Sequence, residues 1–90
     1  MELKSRRTEE EVTQWILEHE YEAVVLVSGL DDAFIGCTPD GVAVYNIDRC
    51  LEIIAEDDNL TIEDAIEHFE FNISGAYVGE KTPLFIEVMI

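Results

Sequence analysis

Basic residues are what this chain most lacks. Its 90 residues carry five Lys and Arg against 21 Asp and Glu, a formal net charge of −16. Three of the five bases, Lys4, Arg6 and Arg7, precede the first expected helix, and between Thr8 and Glu80 Arg49 stands alone. A body without a basic face excludes a direct grip on nucleic acid, whose affinity comes from neutralising phosphates with Lys and Arg. It also disfavours capture of free nucleotides, whose phosphates need the same side chains or a glycine-rich helix start. Long apolar runs are missing too: none approaches the ~18 residues that a membrane span needs. The N-terminal stretch is polar, without the apolar core of a signal peptide. A cytoplasmic protein with no membrane partner is therefore the expectation. Cysteine is limited to Cys37 and Cys50, both on apolar patterns, where thiols are small inert hydrophobes. A disulfide between them would need an oxidising compartment. The two histidines, His19 and His68, have no Cys or His at metal spacing, which argues against zinc. GAYVGEKTP has two glycines but neither GxGxxG spacing nor strand-to-helix order, so no cofactor is expected there.

What the chain does have is an ordinary apolar fraction, 48%, enough for one domain with one modest core. Residues 1–7 read as a flexible N-terminal arm and residues 8–90 as a single domain. Thr8 followed by Glu11 is a capping box, and Val12, Trp15, Ile16 and His19 recur at helical spacing as a core face ending near Glu20. Ala23–Ser28 (AVVLVS) is short and rich in β-branched residues, the pattern of a buried strand. Ala33–Cys37 and Val42–Tyr45 flank Thr38-Pro39-Asp40-Gly41, whose turn chemistry predicts a hairpin. Asn46 can cap a helix with a core face of Ile47, Cys50, Leu51 and Ile54. Thr61 and Asp64 open another, facing inward through Ile62, Ala65, Ile66, Phe69 and Ile73, with Phe71 off the stripe and Gly75 at the C-terminal cap. A last strand, Leu84–Met89, starts after Pro83. The order α-β-β-β-α-α-β predicts an α+β fold: a small antiparallel or mixed sheet of three to four strands with helices packed on one face, the last strand beside the first.

Few residues carry a chemistry. Asp31 and Asp32, in a turn between strands, could hold Mg²⁺ or Ca²⁺ with help from Glu80; the plainer reading is a polar turn whose Asp caps backbone N–H groups. The 75–83 loop either tucks Tyr77 and Val78 inward or presents Tyr77, Glu80 and Lys81 to a partner. Asn72, before the two glycines Gly75 and Gly79, is expected to tie its side chain to that loop. Asp48, Glu52, Glu56, Glu63, Glu67 and Glu70 fall on the outer sides of two adjacent helices. That acidity either keeps the protein dissolved, adapts it to salt, or faces a basic partner, including by imitating a row of phosphates.

The stretches GLDDAFIG and EFNISGAYVGEKTPLF carry a resemblance. The chain resembles a group of small phage- and prophage-encoded proteins with a DGxDDAxIG opening and an EFNxxGAxVGExTPxF ending. Asp31, Asp32, Ala33 and Gly36 match the first motif. Glu70, Phe71, Asn72, Gly75, Ala76, Val78, Gly79, Glu80, Thr82 and Pro83 match the second. The resemblance spans about residues 23–88 and departs at Ser28 and Leu30. It implies a viral setting rather than an activity. By analogy of class it implies a non-enzymatic inhibitor of a host nucleic-acid-handling or defence protein, with a basic protein surface as partner. The alternatives are a divalent-metal-dependent module or enzyme built on Asp31, Asp32 and Glu80, and a purely structural acidic domain.

Overall fold

The structure, a computed structural model, describes residues 5–89. Helix α1 covers Glu9–Glu18. Its capping box forms as expected: the Thr8 hydroxyl accepts the Glu11 N–H at 3.2 Å, and Glu11 accepts the Thr8 N–H at 2.9 Å. The helix closes where Glu20 turns left-handed (φ 60°) and the Tyr21 N–H reaches back to the Ile16 carbonyl at 3.1 Å. Val12 and Ile16 are buried, but His19 is exposed and stacks on Trp15 at 4.0 Å instead of entering the core.

Ala23–Ser28 is not a strand. Ala23 adopts φ 53°, which breaks an extended run at its first residue, and the Val27 N–H is taken by the Tyr45 hydroxyl at 2.8 Å instead of a neighbouring strand. The segment is half-buried through Val24–Val27. The chain then makes a 3₁₀ turn at Asp31–Ala33. The hairpin follows: β1, Phe34–Cys37, antiparallel to β2, Ala43–Asn46, with a bulge between Phe34 and Gly36. Its turn closes through Gly41 N–H to the Thr38 carbonyl at 2.9 Å, and Gly41 has φ +81° with the Lys81 ammonium nitrogen 2.7 Å from where a Cβ would stand. The left-handed backbone there favours glycine.

Asn46 caps α2, Ile47–Asp57, by accepting the Arg49 N–H, and Thr61 caps α3, Ile62–Phe69, by accepting the Asp64 N–H. Between them Asn59 is left-handed (φ 54°), and the Leu60 N–H returns to the Ala55 carbonyl at 2.9 Å. The two helices pack on one another. α3 loosens into a π-helical turn, Glu70–Ser74, which Gly75 ends at φ −90°, an ordinary rather than left-handed cap. The last strand, β3, is Leu84–Ile86, with buried Pro83 leading in. It pairs parallel with β2, Val44 against Leu84 and Asn46 against Ile86, and not with the first expected strand. Among the described residues the fold is α+β, with a three-stranded mixed sheet ordered β1-β2-β3.

Six of the eight aromatic residues join in one continuous contact path through the core. Tyr21 and Phe34 meet Trp15, Phe34 meets Tyr45, Tyr45 stacks on Phe85 at 5.6 Å, and Phe85 meets Phe69 edge-on at 5.0 Å. The path links α1 to the sheet and the sheet to α3, each contact adding about 0.5–1.5 kcal/mol beyond burial. The two aromatics left out, Phe71 and Tyr77, are 81% and 79% exposed. No helix among the described residues is long and apolar enough to cross a membrane.

Candidate functional site

Arg6, Arg7 and Arg49 converge, which their separation in sequence hides. Asp32 is the junction. Its Oδ1 accepts the Arg7 backbone N–H at 2.7 Å, and its Oδ2 accepts the Arg49 guanidinium at 2.8–2.9 Å. Burial pushes the Asp32 carboxyl up, but the Arg7 N–H together with the hydrogen bond and charge of Arg49 outweighs it and holds the group below its usual range. The Arg7 guanidinium donates to the Phe34 carbonyl, and Arg6 binds both Glu56 and Asp57 at the end of α2. Lys4 lies outside the described residues, as does most of the expected arm. Arg6, Arg7 and Arg49 line one cleft of about 690 Å³ with Asp32, Asp48 and Glu52; Arg6 and Arg49 are paired with carboxylates, and the Arg7 guanidinium with a backbone carbonyl.

Asp32 thus has the plainer role: it pins the chain before α1 to the 3₁₀ turn and to α2. Asp31 is half-buried, and burial followed by repulsion from Glu9 raises its carboxyl. Among the described residues no group of three His, Cys, Asp or Glu could hold a metal ion, so Asp31, Asp32 and Glu80 do not assemble into the cation site weighed above. Cys37 and Cys50 are both free. Burial raises the Cys50 thiol to about 12 and also raises Cys37, against a smaller opposing pull from Lys81. Neither is poised as a thiolate nucleophile at neutral pH.

The acidic rows are as exposed as their spacing implies. Asp48, Glu52 and Glu56 stand at four-residue steps along α2, while Glu63 and Glu67 continue along α3 to Glu70 on the π turn; all six are exposed. Their electrostatic states differ. Glu52 meets Arg49 at 3.2 Å and Glu56 meets Arg6. Asp48, Glu63, Glu67 and Glu70 have no ion-pair partner among the described residues. The α3 row is the uncompensated one.

No protein-family model, curated protein or solved structure matches this chain. The resemblance to phage-encoded proteins therefore rests on the motif residues alone, and several of those residues have local structural work. Gly79 takes φ +101°, and around it the Thr82 hydroxyl donates to the Gly79 carbonyl at 2.6 Å and accepts the Val78 N–H at 3.0 Å. That arrangement explains a Gly-x-x-Thr-Pro run as a self-closed turn leading into β3. Asn72 does not reach this loop. Its amide donates to the His68 carbonyl at 3.1 Å, one turn back, from within the π turn. Tyr77, Val78 and Glu80 point outward, whereas Lys81 turns in and donates to the Asp40 carbonyl at 2.6 Å. The presented loop is therefore Tyr77 and Glu80 without Lys81.

Sequence reasoning missed the apolar members of the surface. Ile62 and Ile66 lie on the expected inward stripe of α3, yet Ile66 is 40% exposed. The stripe is wider than the neighbour that covers it. Ile66, with Ile47 and Leu51 of α2 and Leu84 of β3, lines an open groove of about 530 Å³. The mismatch between stripe and cover is visible only once α2 and β3 have their places.

Proposed function

We propose that this chain is a small acidic, phage-type binding protein that blocks a host nucleic-acid-binding or defence protein through carboxylates on α2 and α3. It is not an enzyme in this reading. The observation that carries it is the pair of exposed carboxylate rows on two packed helices, one of which already holds guanidinium groups of the chain itself: Arg6 on Glu56 and Asp57, Arg49 on Glu52. Carboxylates that bind Arg within the molecule have the chemistry to bind Arg of a partner. Steps of four residues space the carboxylates by about 6 Å along a helix. A DNA strand carries one phosphate per ~3.4 Å of duplex axis, so a four-residue helical step of about 6 Å advances roughly as far as two phosphates do along that axis. That supports imitation of a nucleic-acid backbone as the mode of inhibition. The absence of a three-ligand cation cluster among the described residues leaves the metal-dependent alternative without support.

The test uses Glu63, Glu67 and Glu70, which have no internal partner to disturb. Reversing all three to Lys should leave the fold intact, since self-repulsion falls. It should abolish binding to nucleic-acid-handling host proteins that the wild type retains at low salt and releases at high salt. Duplex DNA should compete with the wild type for the same target. If the triple reversal binds that target unchanged, the acids are a solvated face and the proposal fails.

A further inference from the structure

We infer that the groove between α2, α3 and β3 takes the apolar face of a cationic amphipathic helix from the partner protein. This rests on the acidic-surface reading above and adds the anchor that such a surface otherwise lacks. The groove's apolar walls are Ile47 and Leu51, one turn apart on α2, Ile66 on α3 and Leu84 on β3, with Glu70 on its rim. Ile66 and Leu84 remain 40% and 47% exposed, although the folding core lies directly beneath them in Phe69 and Phe85. Side chains one turn apart on two packed helices form parallel ridges, and such ridges seat a third helix through residues at i, i+3, i+4 and i+7.

Charge selects the occupant. No Lys or Arg lines the groove. Glu70 stands exposed on its rim, and the exposed carboxylates of Asp48, Glu63 and Glu67 lie elsewhere on the same two helices; none of the four has an internal ion-pair partner among the described residues. A second copy of this chain is the wrong partner: it carries the same net charge of −16, and like-charge juxtaposition opposes association. An apolar peptide would leave the carboxylates unmatched. A helix with Leu, Ile or Phe along one stripe and Lys or Arg on its flanks satisfies both. Apolar anchors ringed by charge also reconcile tight binding with salt dependence, because the anchors slow dissociation while the charges speed encounter.

The experiment uses two fluorescent peptides of identical composition, each about 18 residues (some five helical turns). One has Leu at i, i+3, i+4 and i+7 with Lys and Arg elsewhere; the other has the same residues in an order without a stripe. Anisotropy with the full chain should give at least tenfold tighter binding for the striped peptide. Ile66→Ser and Leu84→Ser should each weaken it about tenfold, the factor for truncating an interface anchor, and should leave the stripe-free peptide unaffected. Methyl NMR of the wild type supplies a readout independent of variant folding: Ile47, Leu51, Ile66 and Leu84 should shift on titration with the striped peptide. Equal binding of both peptides, with these methyls unmoved, overturns the groove and leaves the acidic-surface reading standing. Failure of both peptides to bind at low salt overturns the groove and that reading together.

Discussion

Removing one oxygen from Tyr45 should loosen a segment eighteen residues away. Tyr45 has no exposed surface, and its hydroxyl accepts the Val27 N–H at 2.8 Å. Tyr45→Phe keeps the ring against Phe34 and Phe85 and deletes only that acceptor. A buried donor left without a partner costs about 1–3 kcal/mol. Val27 is half-buried, so water can reach its N–H in part, and the lower half of that range applies: about 1–2 kcal/mol. For a domain of this size each kcal/mol shifts Tm by about 4–8 °C, so the melt should fall by roughly 4–16 °C. Hydrogen exchange at Val27 should accelerate beyond the global change. There is also an alkaline signature. Burial, offset in part by the Val27 N–H, raises the Tyr45 phenol from 10.0 to about 12. The unfolded chain therefore loses this proton first, so the stability it contributes is complete below pH 10 and is lost as pH rises toward 12. In Tyr45→Phe that part of the alkaline loss should vanish. A variant with unchanged Tm and unchanged Val27 exchange would refute the claim that the phenol substitutes for a strand neighbour.

Three further outcomes follow from the charge distribution and the caps. Raising salt from about 0.01 M to about 0.15 M shortens the Debye length from roughly 30 to 8 Å and should raise Tm; a flat or falling melt would mean the acids are locally compensated. Arg49→Ala should cost about 1–2 kcal/mol at neutral pH by unpairing Asp32. Because the depressed Asp32 group adds stability above 3.8 that is lost as pH falls through its folded value, the variant should show a weaker acid dependence in the same melts. Asn72→Ala, losing one exposed hydrogen bond to a carbonyl one turn back, should cost less than about 0.5 kcal/mol; a loss several times larger would place Asn72 in a contact not described above.

The parts of the fold that were legible are those decided within a few residues. Thr8 with Glu11, Asn46 and Thr61 all cap the helices they announce, and Thr38-Pro39-Asp40-Gly41 closes the hairpin it promises. The parts that were not legible depend on what stands opposite. AVVLVS has the composition of a strand, but β2 already has β1 on one side and β3 on the other. Ile62 and Ile66 have the periodicity of a core face, but periodicity does not say how much of that face a neighbour covers. The acidic rows could be read as rows; which of them is neutralised could not, because Arg6 and Glu56 are separated by fifty residues. Asn72 lies where the helix is expected to be, but its amide turns back to the His68 carbonyl instead of forward to the loop, a choice between two nearby acceptors that the residue type does not decide.

The two rims of the sheet have a bearing on how concentrated this protein can become. A flat, long outer strand is a template on which further strands of other molecules can grow. Here one rim, β1, is bent by the bulge between Phe34 and Gly36, and the other, β3, is only three residues long. Leu84 and Ile86 still show apolar surface along that second rim, where its shortness and the repulsion between highly charged molecules both oppose edge-to-edge growth. Straightening the bulge or lengthening β3 would remove the geometric half of that protection. Acidification or high salt would weaken the electrostatic half, so light scattering followed against pH and salt should rise first where the carboxylates are neutralised or screened.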